Sequence, residues 1–416
     1  MPSAISEKDK HYVWHPFTQM QTAFDPIPIV KAKGSYLFAE SGERYLDAIS
    51  SWWVNLHGHA HPYIAEKIAE QARNLEHLIF ADFTHAPAVD LAERLINLLP
   101  GNMSKIFYSD NGSTAVEVAL KMCLQYWHNQ GKEKTKIICL KHSYHGDTFG
   151  AMSAAGKNSF NKPFWRHLFD VEQIDPSSFE QLKTILDTGK VACFIFEPLI
   201  LGAGGMCIYP AEHLNELIKI CKQYDVLTIA DEVMTGFGRT GSLFACEKLQ
   251  HTPDLFCLSK GLTGGFLPLG VTTCQQKIYD AFLSPHLLDA FLHGHSYTAN
   301  PIACVSALAS LDLLEDNYMQ RKRIELSHAQ FCSEWKNHPK LLRCESLGTI
   351  LVLEYHTPNA SYFNPLRDRL YRFFLDSNIL LRPLGNVVYV MPPYCIQEDE
   401  LQRVYKTLIQ TLEEDL

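Results

Sequence analysis

Between about Lys105 and Cys274 the chain alternates two textures. The runs "KIFYS", "TKIICLKH", "VACFIFEP", "DVLTIADEV" and "DLFCLSKG" are near-continuously apolar and rich in β-branched or aromatic residues, over strand-like lengths. Among them, "TAVEVALKMCLQYW" and "AEHLNELIKICKQY" repeat apolar residues three and four apart, the period of a helix with one buried face. Strands without polar alternation, joined by helices, predict a parallel sheet covered on both faces. In such sheets ligands bind beyond the carboxyl ends of the strands.

Past about Leu311 the pattern changes. A long charged helix is expected from there into "AQFCSEWKNH", then strands in "CESLGTILVLEYH", a helix near "PLRDRLYRFFLDS", the stretch "ILLRPLGNVVYVMPPY" and a final helix. This predicts a smaller α+β domain at residues 311–416. The large domain is expected at 61–310. Residues 1–60, with short strands and turns such as "AKGSYLFAESGERYLDAIS", are expected to join the small domain.

Composition narrows the function classes. The 416 residues are 46% hydrophobic and 20% charged, as in ordinary globular proteins, and suffice for a large core. A formal net charge of -9 argues against a nucleic-acid footprint. The opening "MPSAISEKDKHYVWHPF" lacks a basic segment followed by an apolar one, so no signal peptide is expected. The most apolar segment, "VACFIFEPLILGAGGMCIYP", carries Glu197 and three glycines and is not a membrane span. Twelve cysteines without a C-x-x-C pair, mostly inside apolar runs, fit buried reduced thiols in a soluble cytoplasmic protein.

The candidate chemistry sits where the strands end. In "DLFCLSKGLTGG" an apolar run stops at Lys260, with small residues around it; a solvated lysine is the ordinary outcome at such a place. In "DVLTIADEVMTGFGRTG" Asp231 closes an apolar strand, and a buried acid there calls for a cationic partner. The same stretch contains Gly236-Phe237-Gly238-Arg239-Thr240-Gly241, which matches G-x-G-x-x-G. Here Asp231, Glu232 and three more residues separate strand from glycines, and an acid at the strand tip would repel a pyrophosphate. In "YSDNGSTAVEVALKM" a strand leads through Gly112 and Ser113 into a helix. There Thr114 and Glu117 predict a T-x-x-E capping box, and the free amides an anion site. Histidines cluster at His57, His59 and His61, at His142 and His145, and at His293 and His295. Two H-x-H pairs leave a hydrolase-type metal centre open, although they lie in glycine-rich loops.

A phosphate cradle at a helix start, an acid at one strand end and a lysine at the next together call for pyridoxal 5′-phosphate (PLP). A lysine can bind a carbonyl cofactor as a Schiff base, and an acid can keep a ring nitrogen protonated. At this point "DEVMTGFGRTG" with "LSKGLTGGFLPLG", "SDNGSTAVEVALK", "YHGDTFGAMS", "FEPLILGAGGM" and "HGHSYTANPIAC" resemble, in order, the motifs of class III aminotransferases of fold type I. The resemblance covers nearly the whole chain. It implies an α/β fold whose large domain has a mostly parallel seven-stranded sheet beside a smaller α+β domain.

Within the family, "WHPFTQM", "SSWWVNLHGHAHP", "HLIFADFTHAPAVDLAERL", "LQYWHNQGK" and "LRPLGNVVYVMPPY" are similar to a biotin-pathway branch, unlike most relatives such as ornithine and 4-aminobutyrate aminotransferases. The implied activity is ping-pong conversion of 7-keto-8-aminopelargonate to 7,8-diaminopelargonate with S-adenosylmethionine as amino donor. Lysine as donor, or an omega-amino acid substrate, is the alternative. The resemblance assigns Lys260 to the Schiff base and proton transfer, Asp231 to the pyridine nitrogen, and Tyr144 to the ring or substrate. Gly112 and Ser113 would bind the phosphate, joined by His295 and Ser296 from the neighbouring subunit of a homodimer. Phe17, Trp52, Trp53, Gly294, Arg382 and Tyr389 would line the substrate site, with Arg382 on the substrate's distal carboxylate and no metal involved. Two departures stand out. Phe17 replaces a tyrosine after "WHP", and His295-Ser296 replaces proline-threonine, where serine donates the same kind of bond.

Overall fold

The computed structural model describes residues 4–358 and 362–414. Its centre is a seven-stranded sheet of β1 (Met103–Ser109), β2 (Lys136–Leu140), β3 (Val171–Ile174), β4 (Val191–Phe196), β5 (Leu227–Asp231), β6 (Leu255–Leu258) and β7 (Gly270–Gln275). The spatial order is β1-β7-β6-β5-β4-β2-β3. Only β7 runs against its neighbours, pairing antiparallel with both β6 and β1. The rest is parallel, as the unbroken apolar runs predict. Strand periodicity splits the side chains between two cores. Ile138, Leu140, Phe194, Phe196, Phe256 and Leu258 enter one, and Ile137, Cys139, Ile195, Ile229, Leu255 and Cys257 the other. The helix Gly112–Asn129 closes the second, burying Ala115, Val116, Val118, Ala119, Met122 and Cys123.

The termini meet away from this sheet. Strands Ile29–Lys33, Tyr36–Ala39 and Arg44–Asp47 form an antiparallel meander, and Ile379–Leu380 joins its edge parallel to Arg44–Asp47. A second antiparallel sheet, Leu341–Leu347, Ile350–Tyr355 and Val387–Val390, packs beside it. The single long helix expected past Leu311 is two, Pro301–Asp316 and Tyr318–Trp335. They break at Asn317, whose side-chain amide reaches His57 Nδ1 at 2.9 Å. A short polar side chain with a partner outside the helix competes with the helical backbone, which periodicity does not register.

Candidate active site

A cavity of about 460 Å³ opens at the carboxyl ends of β5 and β6. Lys260, two residues past β6, has φ of 46°, a left-handed conformation that lysine adopts only under tertiary constraint. Its amine lies 4.5 Å from the centroid of the Trp53 ring and lines the cavity. Burial pushes the ammonium below its ordinary range, opposed by the negative charges of Asp231 and Glu197. The predicted strand-end lysine is thus turned inward, with a larger neutral fraction than a solvated lysine holds.

Asp231, the last residue of β5, is buried and doubly held. Oδ1 accepts from the Val233 amide at 3.1 Å, and Oδ2 lies 2.7 Å from His145 Nδ1. The other His145 ring nitrogen is buried without a partner among the described residues. Glu197, just past β4, also faces the cavity. Its carboxylate accepts from the amides of Tyr144 and Gly202, both at 2.9 Å. Burial raises its pKa to about 7; His145 pulls it down and Asp231 adds to the rise. The Tyr144 hydroxyl donates to Asp147 Oδ2 at 2.7 Å, and burial pushes its acidity down further.

The helix after β1 starts as expected but with a different cap. Asn111 is the N-cap, its side chain accepting the Thr114 amide at 3.0 Å, while Thr114 Oγ1 takes the Asn111 amide at 3.1 Å. Glu117 does not close a T-x-x-E box. It faces the next loop, where it accepts from the amides of Gly150 (2.7 Å) and Ala151 (3.1 Å) and from the Thr148 hydroxyl. One residue of register decides this: with Asn111 as cap, Thr114 already occupies the reciprocal position. The first two amides of the helix, on Gly112 and Ser113, have no intrahelical acceptor and line the cavity. A Cβ on Gly112 would meet Val233 Cγ1 at 2.7 Å, so the close approach needs glycine.

Trp52 and Trp53 sit on a tight turn in which Ser50, Ser51 and Trp53 all have positive φ. Asp47 holds it, accepting from the amides of Ile49 (3.0 Å) and Ser51 (2.6 Å), with His59 Nε2 at 2.8 Å. Trp53 is buried, lines the cavity, and donates from Nε1 to the Tyr389 hydroxyl at 2.9 Å. Trp52 is exposed, with the Phe17 ring at 5.6 Å and the Arg382 guanidinium 4.9 Å over its face. Among the sequence-nominated residues, Lys260, Asp231, Tyr144, Gly112, Ser113 and Trp53 share the cavity. Phe17, Trp52 and Arg382 form an adjoining cluster, and Tyr389 reaches the cavity through Trp53. Gly294, His295 and Ser296 lie outside the cavity of this chain, Gly294 and Ser296 exposed.

The remaining motifs have structural accounts. The H-x-H histidines scatter: His57 bonds Ser310 and Asn317, His59 bonds Asp47, and His293 meets Lys121. In the G-x-G-x-x-G segment a Cβ on Gly348 would strike the Gly241 amide at 2.2 Å, so those glycines admit a second backbone, not a pyrophosphate. Arg239, fully buried there, donates to the carbonyls of Pro392 (2.9 Å), Asn55 (3.3 Å) and Trp53 (3.4 Å). Glu197 and the Asp231–His145 pair were missed by the sequence reading. An acid closing the apolar run "VACFIFEP" is the same signal that marks Asp231.

The aminotransferase class-III family matches residues 18–412, and the chain belongs to it. It is a PLP-dependent aminotransferase. The adenosylmethionine-8-amino-7-oxononanoate aminotransferase of Synechococcus elongatus is 45% identical over 97% of this chain and 99% of its own. The Staphylococcus aureus enzyme of the same name is 39% identical, covering 98% of each. Among solved structures, the Methanocaldococcus jannaschii protein of that name superposes with a TM-score of 0.94 at 35% identity, covering 99% of both chains. A Pseudomonas amine transaminase in its PLP-bound form gives 0.88 at 28%, over 97% of this chain and 98% of that one. The donor set fits this cofactor: an inward amine, a fixed carboxylate, and two unpaired helix-start amides for a phosphate.

Proposed function

We propose that this chain transfers an amino group from S-adenosylmethionine to 8-amino-7-oxononanoate (7-keto-8-aminopelargonate), forming 7,8-diaminopelargonate, as a cytoplasmic homodimer. The observation that carries the reading is the Phe17–Trp52–Arg382 cluster beside the cavity. Arg382 has no acidic partner among the described residues and spreads its charge over an exposed tryptophan face, which suits a substrate with a distal carboxylate. The full-length likeness to three enzymes of that name supports the same substrate.

Bound PLP supplies an electron sink conjugated to the reacting carbon. Lys260 would hold the cofactor through Nζ, and the same amine would move a proton at the reacting carbon; its lowered pKa suits both tasks. Asp231 keeps the pyridine nitrogen protonated, and His145 and the Val233 amide fix the carboxylate's orientation. Gly112 and Ser113 bind the phosphate through backbone amides, with His295 and Ser296 contributed by the neighbouring subunit. Tyr144, held at its amide by Glu197 and at its hydroxyl by Asp147, would meet the cofactor ring or the substrate. The flat faces of Trp52 and Trp53 accommodate both a sulfonium nucleoside and a slim keto acid, and Arg382 anchors the acid's far carboxylate.

Stopped-flow spectra of the loaded enzyme mixed with each candidate donor test the reading. S-adenosylmethionine should convert the cofactor to its amine form, and 8-amino-7-oxononanoate should reverse the change. Conversion by lysine alone, or recovery only with unrelated keto acids, would overturn it.

A further inference from the structure

Two cysteines far apart in role from the cavity lie in contact. Cys332 is in the last turn of helix Tyr318–Trp335, and Cys344 is in the adjacent strand Leu341–Leu347. Their sulfurs are 3.8 Å apart, with the Cys344 thiol directed at Cys332. Cys344 is buried, whereas Cys332 keeps part of its surface open to solvent. The other contacting pair, Cys123 with Cys193, is sealed in the core with neither residue exposed. The exposed Cys207 has no cysteine contact among the described residues. Among the described residues, only Cys332–Cys344 combines sulfur contact with access.

We propose that Cys332 and Cys344 are a reversible oxidation site that closes to a disulfide at the expense of a hydroperoxide. The Cys332 sulfur attacks one peroxide oxygen and the O–O bond breaks, leaving Cys332 as a sulfenic acid and releasing an alcohol, or water from hydrogen peroxide. The Cys344 sulfur then attacks the Cys332 sulfur. The S–S bond forms, the S–O bond breaks, and the hydroxyl leaves as water with the Cys344 proton. Two thiols are oxidised by two electrons and one peroxide is reduced. The order of attack follows from the pair: the hydrogen bond from Cys344, aided by Ser346, holds the Cys332 thiol below its ordinary range, and the same bond, with burial adding to it, holds the Cys344 thiol above it. Closure from 3.8 Å to a bonded distance of about 2.0 Å falls on the end of a helix, where the chain gives most easily. The bond would tie that helix to a strand whose Arg343 donates to the carbonyls of Gly205 (2.7 Å) and Met206 (2.8 Å).

The test is hydrogen peroxide treatment of the PLP-loaded protein, then alkylation of remaining thiols and peptide mapping. The expected product is a Cys332–Cys344 linked peptide lacking two hydrogens, restored by dithiothreitol. A rise of several degrees in thermal midpoint should accompany it, since the short loop it closes constrains the unfolded chain. Cys332→Ser should abolish the link and the rise while folding normally, because that residue is partly exposed; Cys344→Ser should trap Cys332 as a dimedone-reactive sulfenic acid. If both thiols stay alkylatable after Cys207 has been oxidised, the proposal fails. It fails equally if Cys332 is carried to sulfinic acid in wild-type protein without a linked peptide.

Discussion

At the sheet ends Asp231 is 4% exposed, with one carboxylate oxygen on the Val233 amide and the other on His145. A short distance away Trp52 is 41% exposed, with the Phe17 ring tilted against it and the Arg382 guanidinium over its face. The first region sits on strands whose register is fixed by two cores. The second sits on a turn of positive-φ residues that Asp47 and Arg239 hold, an N-terminal segment and a loop after Ile379–Leu380. Groups that must act on one cofactor in every turnover are hydrogen-bonded into a rigid frame. Groups that must admit two dissimilar substrates in turn are stacked, exposed and assembled from distant parts of the chain. The contrast implies that changes in the first region, the floor of the site, affect both half-reactions alike, whereas changes in the Phe17–Trp52–Arg382 wall separate them.

The largest break should come from Lys260→Ala. Turnover should fall by at least roughly 10³-fold with thermal unfolding little changed, because the amine acts by covalent bonding and proton transfer, not by packing. A variant that still transaminates would remove Lys260 from the reaction. Asp231→Asn should retain the cofactor but lose about 2–3 kcal/mol of charge-assisted stabilisation, slowing turnover by roughly 30- to 150-fold. Rates matching wild type would rule out its role at the pyridine nitrogen. Arg382→Ala should cost of the order of 2 kcal/mol or more, lowering kcat/KM for the keto acid by roughly 30-fold.

A stability measurement probes the floor without turnover. Burial pushes Glu197 up to about 7 from an ordinary 4.5, so the folded chain favours the protonated acid. That contribution is complete below about pH 4.5 and is lost as pH rises through about 7. Relative to Glu197→Gln, the wild type should therefore lose on the order of 2–4 kcal/mol across this window, read by denaturant unfolding at its two ends. A pH-independent difference would mean that Glu197 does not titrate there. The smallest effect belongs to the wall: Phe17→Tyr, which adds a hydroxyl to a half-exposed ring beside Trp52, should tighten keto-acid binding by about 1 kcal/mol. An unchanged KM would show that the hydroxyl finds only water.

The floor was the more legible region because its signals are local. An apolar run ending in Lys260 or Asp231 states both the strand and the chemistry at its tip, and Gly112–Ser113 announces a helix start. What escaped depends on contacts between distant segments. The capping register of Asn111 over Thr114, the break at Asn317 opposite His57, and the Asp231–His145 pair each join residues that periodicity treats separately. The antiparallel β7 was invisible for a similar reason, since strand direction is set by pairing and not by composition. Glu197 carries the same strand-end signal as Asp231, an acid closing an apolar run. The wall residues were legible only through resemblance: nothing in "LLRPLGN" distinguishes Arg382 from a solvated arginine.

The most direct test is single-turnover kinetics of both half-reactions in Arg382→Ala and Asp231→Asn, measured side by side against wild type. Asp231→Asn should slow the donor and keto-acid halves by similar factors. Arg382→Ala should slow the keto-acid half by roughly 30-fold and leave the donor half within about threefold. Equal losses in both halves for Arg382→Ala would contradict the account and make that arginine a structural part of the wall.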